Sequence, residues 1–103
     1  MAVTETYLAK FRRAVRRIKS TDTDAELTEL IEECRADLIS VGVFADKVND
    51  ETDPLVLGAV KCFVRGRFGL SNEEADKNLE YYAGYKDELR KKTGYMNEEE
   101  EVE

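Results

Sequence analysis

The chain has 103 residues and a formal net charge of −7, enough for one domain with a modest core. It contains no histidine, and so lacks the commonest general base and the commonest transition-metal ligand. Cys34 and Cys62 lie outside any CxxC motif, so we expect two reduced core residues of a cytosolic protein. A disulfide between two helices stays open, because it depends on geometry that a sequence does not show.

No signal peptide and no membrane span are expected. The N-terminus has no long apolar segment, and the most apolar run, which begins at Pro54, is short and contains Lys61 and Arg65. The charges are distributed unevenly: residues 1–19 carry a net +5, residues 20–53 a net −9 and residues 54–103 a net −3. A basic end and an acidic remainder indicate complementary surfaces.

The first helix is predicted from Thr4 to Lys19. Apolar residues recur at helical spacing and occupy one arc of the helix: Tyr7, Leu8, Phe11, Ala14, Val15 and Ile18. The opposite arc is basic: Lys10, Arg12, Arg13, Arg16, Arg17 and Lys19. A polar turn over residues 20–24 then offers several N-cap residues.

The second helix is predicted from Ala25 to Val41 and ends at Gly42, which suits a left-handed C-terminal cap. Its apolar stripe contains Leu27, Leu30, Ile31, Cys34, Leu38 and Val41. Its other side is acidic: Glu26, Glu29, Glu32, Glu33 and Asp37. In the connection that follows, Val43 and Phe44 are expected in the core, and residues 46–53 are expected to be exposed.

A central helix is predicted from Pro54 to Phe68. Apolar residues surround most of it, which is typical of a buried helix. Asp53 is the predicted N-cap, and Pro54 suits the first helical position, where its missing N–H costs nothing. Gly66 and Gly69 are interpreted as marking the C-terminal end of this helix. Gly58 lies in its interior, where close packing against another helix is the expected reason.

The fourth helix is predicted to begin at a capping box, Ser71 to Glu74, and to end at Thr93–Gly94. One seam of this helix is expected to face inward: Ala75, Leu79, Tyr82, Lys86 and Leu89. The acidic tail, residues 95–103, is expected to be disordered in isolation. The sequence therefore predicts an all-α fold, a four-helix domain over residues 1–94 around a buried central helix, followed by that tail.

The basic face of the first helix is the sharpest functional feature. It could contact phosphate or an acidic protein surface, and the alternative is a solvated face without a partner. Because the whole chain is acidic, a protein partner fits better than nucleic acid. A basic face on one subunit that meets an acidic face on the next makes a head-to-tail contact, which can close into a ring. The candidate interface residues are Lys10, Arg12, Arg13, Arg16, Arg17, Glu26, Glu29, Glu33, Asp37, Tyr81 and Tyr85.

No catalytic, cofactor or metal site is predicted. The alternating carboxylates Asp22 and Asp24, and likewise Glu74 and Asp76, have no calcium-loop pattern around them, and the glycine spacing matches no phosphate-binding motif. The tyrosines of the fourth helix suit an interface, although ordinary helix packing also accounts for them.

One segment resembles a known family. Asp53–Lys61, followed by Phe63, Arg67–Phe68–Gly69 and then Ser71–Asp76, is similar to the head–tail connector proteins of tailed double-stranded DNA bacteriophages. The likeness covers residues 25–92 and extends to the tyrosine-containing helix that ends in Leu89–Arg90. The basic first helix and the acidic tail depart from the commonest form of that family.

The resemblance implies a structural virion protein without enzymatic activity. Such connectors are made in the host bacterial cytoplasm and form rings, usually of twelve subunits, under the portal at the head–tail interface after DNA packaging. The ring extends the DNA channel and provides a platform for the next connector or the tail-completion protein, and DNA passes through without specific binding. The alternative is a small helical regulatory or nucleic-acid-binding protein that uses the basic face of the first helix.

Overall fold

The computed structural model describes residues 3–68, 72–92 and 94–95. Within those residues the chain forms five helices and no strand. The helices are α1 (Glu5–Ala14), α2 (Thr21–Ser40), α3 (Ala45–Val48), α4 (Pro54–Arg67) and α5 (Asn72–Leu89). The predicted all-α fold is confirmed, with one short additional helix in the connection before the central one.

The helix α4 lies at the centre and packs against α1, α2 and α5. It begins as predicted: the Asp53 carboxylate accepts hydrogen bonds from the N–H groups of Leu55 at 2.9 Å and Val56 at 3.0 Å, and Pro54 occupies the first turn. Its most deeply buried side chains are Val56, Ala59, Val60, Phe63 and Val64. Burial of this apolar surface organises the other helices around α4.

The glycines of α4 allow α5 to approach closely. A Cβ atom on Gly58 would lie 2.6 Å from the hydroxyl oxygen of Tyr85, and one on Gly66 would lie 2.5 Å from Cδ2 of Leu79. Close packing was the predicted reason for Gly58, and it is confirmed. Gly66 was interpreted as marking the end of the helix; it is the second-to-last residue of α4, and it also packs against α5. Gly69 lies outside the described residues.

The helix α1 is shorter than predicted and ends at Ala14 rather than Lys19. Arg16 has a φ of 59°, the N–H of Arg16 donates to the carbonyl of Arg13, and the N–H of Arg17 donates to the carbonyl of Arg12. These two bonds form a Schellman motif with arginine at the left-handed position that glycine usually occupies. Without a glycine in the sequence, nothing marked this helix end in advance.

The connection between α2 and α4 differs from the prediction in two places. Val43 is buried as expected, but Phe44 is 37% exposed. Val48 and Asp53, which were expected to be exposed, are buried, because the short helix α3 turns Val48 into the core and Asp53 caps α4.

The seam of α5 is confirmed. Tyr82 and Leu89 are buried, and the ring of Tyr82 packs edge-on against Phe63 with centroids 5.1 Å apart. The capping serine, Ser71, and Thr93 lie outside the described residues.

Tyr95 packs on the helical domain, although the acidic tail was predicted to begin at this residue. Its hydroxyl donates to Oδ2 of Asp53 at 2.7 Å, its carbonyl accepts from the N–H of Phe44 at 2.6 Å, and Lys47 lies over its ring. The hydrogen bond to the Asp53 carboxylate raises the pKa of Tyr95 to about 12. Residues 96–103 lie outside the described residues.

Candidate subunit interface

The helical wheel predicted Arg12 on the outer face of the first helix, and this is wrong: its side chain is buried, with 8% of the residue exposed. Its guanidinium donates two hydrogen bonds to the Glu5 carboxylate, at 2.8 and 2.9 Å, and two to the Asp24 carboxylate, also at 2.8 and 2.9 Å. These bonds raise the pKa of Arg12 and lower the pKa of both carboxyl groups. Arg12 therefore joins α1 to the start of α2, and its charge is neutralised within the chain.

The other predicted cations around the end of α1 remain on the surface. Arg13, Arg16 and Arg17 are exposed, and Lys10 is half-buried. Among the described residues, no carboxylate lies within 4 Å of these four cations. The guanidinium of Arg17 lies over the ring of Phe68, 5.6 Å from its centroid. A group of cations without an acidic neighbour is available for an external partner.

Ile18 is 84% exposed, although it was predicted on the apolar arc of the first helix. The left-handed turn at Arg16 ends the helical periodicity before Ile18 is reached, so the residue cannot face the core. Residues 16–19 form an exposed non-helical segment in which Ile18 is flanked by Arg16, Arg17 and Lys19. Lys19 lies 3.8 Å from the Glu5 carboxylate on the surface.

The acidic residues predicted on α2 divide into two groups. Glu26 and Glu29 are exposed and lie with Glu32 on the solvent side of the helix. Glu33 is also exposed, but its carboxylate lies 3.4 Å from the guanidinium of Arg67. The first group keeps its charge available to a partner, whereas the second faces a neighbouring helix of the same chain.

Asp37 is held in a polar cluster between α2 and α5. Its Oδ2 accepts hydrogen bonds from the hydroxyl of Tyr82 at 2.6 Å and from the ammonium of Lys86 at 3.0 Å. Burial opposes ionisation of Asp37, but the hydrogen bonds from Tyr82 and Lys86 outweigh it, so its pKa is lowered. Asp37 therefore stabilises the contact of α5 with α2.

Two of the three tyrosines on α5 reach the surface. Tyr81 is 59% exposed, and Tyr85 is half-buried with its hydroxyl against Gly58. Together with Cys62 they line an open groove of about 620 Å³ between α4 and α5. The sequence indicated the tyrosines but not the groove, since it depends on how α4 and α5 cross.

Both cysteines are free, but of the two predicted core residues Cys34 alone is fully buried. Cys34 is fully buried, and burial raises the pKa of its thiol to about 12. Cys62 is half-buried in the wall of the groove, where burial also raises its pKa.

Over residues 3–68, 72–92 and 94–95, no three His, Cys, Asp or Glu side chains are grouped so that they could hold a metal ion. Within the same residues, no helix has both the length and the apolar character needed to cross a bilayer.

Comparison of the chain with family models, with curated proteins and with solved structures finds no match.

Proposed function

We propose that the chain is a subunit of a head–tail connector, a structural virion protein that assembles head-to-tail into a ring under the portal of a tailed DNA phage. The observation that carries the proposal is the separation of charge on one small helical domain. Exposed cations gather at the end of α1, and several carboxylates along α2 and α5 form no ion pair with any described residue. A subunit with unlike surfaces of this kind can bind the next copy by a heterologous contact, which closes into a ring when the rotation allows.

The likeness of residues 25–92 to the phage connectors supports the same function. In that role a ring, usually of twelve subunits, extends the DNA channel and presents a platform to the next connector or the tail. The net charge of −7 suits a channel wall, because an acidic wall repels DNA phosphates and does not retain the passing duplex.

Charge reversal tests this function. The chain is mixed with portal protein from the same virus and examined by electron microscopy and native mass spectrometry. We expect rings on the portal with the natural chain and none with the double variant Arg13→Glu, Arg16→Glu, because like charges would then face each other. The matched control is Lys77→Glu with Lys92→Glu, which makes the same change of charge at two other exposed positions. Circular dichroism should show unchanged helicity in both variants.

Two results would contradict the proposed connector function. One is a chain that stays monomeric and has no affinity for the portal or a neighbouring connector. The other is assembly that Arg13→Glu with Arg16→Glu leaves unchanged. If the natural chain instead binds DNA with a steep dependence on salt, and the same variant loses that binding, the basic surface belongs to a nucleic-acid-binding protein.

A further inference from the structure

The groove between α4 and α5 has an apolar interior and acidic edges. Its interior is formed by Cys62, Tyr81, Gly84 and Tyr85, and its edges by Glu80 and Glu88. A Cβ atom on Gly84 would meet nothing within 4 Å, so the side chain that is absent there leaves open space. In the described part of the chain, no cation lies within 4 Å of the carboxylates of Glu80 and Glu88.

The segment over residues 16–19 has the complementary character. Ile18 and Tyr81 are the two most exposed large hydrophobic residues of the described chain, at 84% and 59%. The segment is positively charged, because Arg16, Arg17 and Lys19 are the neighbours of Ile18 in the sequence. One surface thus presents an apolar side chain among cations, and the other presents an apolar recess between carboxylates.

We propose that the groove of one copy binds residues 16–19 of a second copy, with Ile18 against the tyrosines and the cations beside Glu80 and Glu88. The inference rests on the proposed ring and names its interface. Such a contact removes the two most exposed apolar side chains of the described residues from water. It also places the two arginines of the segment beside the carboxylates of Glu80 and Glu88, and these four groups form no ion pair among the described residues.

The groove suits Ile18 better than the acidic row of α2 does. Glu26, Glu29 and Glu32 offer charge on the exposed side of α2, and none of them lines the groove with its apolar interior. That row could attract the arginines but would leave Ile18 in water.

The segment does not occupy the groove of its own subunit. Arg16 lines a separate polar pocket with Arg65 and Asn78, and Arg65 fixes the end of α1 by donating to the carbonyl of Ala14 at 3.2 Å. From Asn78 to Gly84, at the middle of the groove, α5 rises by about 9 Å. Because the segment and the groove are different surfaces, each copy can place its segment in the groove of one neighbour and bind the segment of another neighbour in its own groove.

The groove is tested with a capped synthetic peptide of residues 13–20, Arg-Ala-Val-Arg-Arg-Ile-Lys-Ser. The readout is the rate at which N-ethylmaleimide alkylates Cys62, followed by mass spectrometry, with buried Cys34 as the internal control. We expect the rate at Cys62 to fall about tenfold when the peptide is present at ten times its dissociation constant. A peptide with Ile18→Asp should protect at least about ten times more weakly, because the charged side chain cannot enter the apolar recess.

Protein variants locate the binding site. Glu80→Lys with Glu88→Lys should abolish protection by the natural peptide, while the matched reversal Glu29→Lys with Glu32→Lys on α2 should preserve it. All four side chains are exposed, so circular dichroism should be unchanged. Absence of protection, equal protection by the Ile18→Asp peptide, or loss of protection in the α2 variant instead of the groove variant would each overturn the proposal.

The full chain separates this inference from the connector function. On the portal, Ile18→Asp and the groove variant should each fail to form rings. A mixture of the two variants should form heterodimers, because the groove variant keeps an intact segment and the Ile18→Asp variant keeps an intact groove. Rings that still form with the groove variant would overturn the groove and leave the connector standing. A peptide that protects Cys62, in a chain that neither assembles nor binds the portal, would support the groove and reject the connector.

Discussion

Replacing Arg16 with glycine should make the protein more stable. Arg16 holds a φ of 59° at the end of α1, where the N–H groups of Arg16 and Arg17 close the Schellman motif. Among the described residues it is the one non-glycine residue with positive φ. A side chain at this position places its Cβ close to the following carbonyl oxygen, and glycine removes that conflict.

The size of the effect follows from two opposing contributions. The left-handed conformation costs a residue with a Cβ about 1–2 kcal/mol. Glycine also destabilises the folded state by about 0.5–1 kcal/mol, because it gives the unfolded chain more conformational freedom. A net stabilisation of about 0.5–1 kcal/mol raises Tm by about 3–6 °C in a domain of this size. The exposed side chain of Arg16 makes no ion pair within the described residues that would offset the gain.

Urea and thermal unfolding, followed by circular dichroism, measure the change in free energy of unfolding. Arg16→Ala is the matched control, because it removes the same charge but keeps a Cβ in the left-handed conformation. The glycine variant should be more stable than both the natural chain and the alanine variant, with an unchanged m-value. A glycine variant no more stable than Arg16→Ala would refute the assignment of strain to this residue.

Three further variants probe the packing by thermal unfolding. Arg12→Ala should lower Tm more than Arg13→Ala, because only the first breaks part-buried charge-assisted hydrogen bonds; equal losses would contradict this. Gly58→Ala should be less favourable in the natural chain than in a Tyr85→Ala background by about 0.5–3 kcal/mol, because the new Cβ would meet the tyrosine hydroxyl; additive effects would argue against the contact. Tyr95→Phe should cost about 1 kcal/mol by deleting the hydrogen bond to the N-cap carboxylate of α4, and an unchanged Tm would show that the tyrosine is not held there.

Strong local patterns were reliable guides to the fold. The all-round apolar character of α4, its cap at Asp53 and its proline at the first position predicted a buried helix with the correct start. The inward seam of α5 was equally clear in the spacing that includes Tyr82 and Leu89. In these elements local propensity and tertiary packing favour the same structure, so periodicity alone is sufficient.

The candidate interface was predicted less well. A helical wheel assigned Arg12 to the outer face and Ile18 to the core, and the structure reverses both positions. Arg12 turns inward because Asp24, at the start of another helix, completes its hydrogen bonds. Ile18 turns outward because α1 stops at a left-handed residue that has no glycine signature.

The amino-acid sequence by itself determined an all-helical domain, its central helix and the separation of basic from acidic segments. Those features depend on residues close together in the chain, whose spacing and capping are visible directly. Only the tertiary structure decided which charges neutralise each other and where a groove remains. The ion pairs of Arg12 and Asp37 and the recess beside Tyr81 join residues from separate helices. Such contacts depend on how the helices cross, and helical periodicity carries no information about crossing.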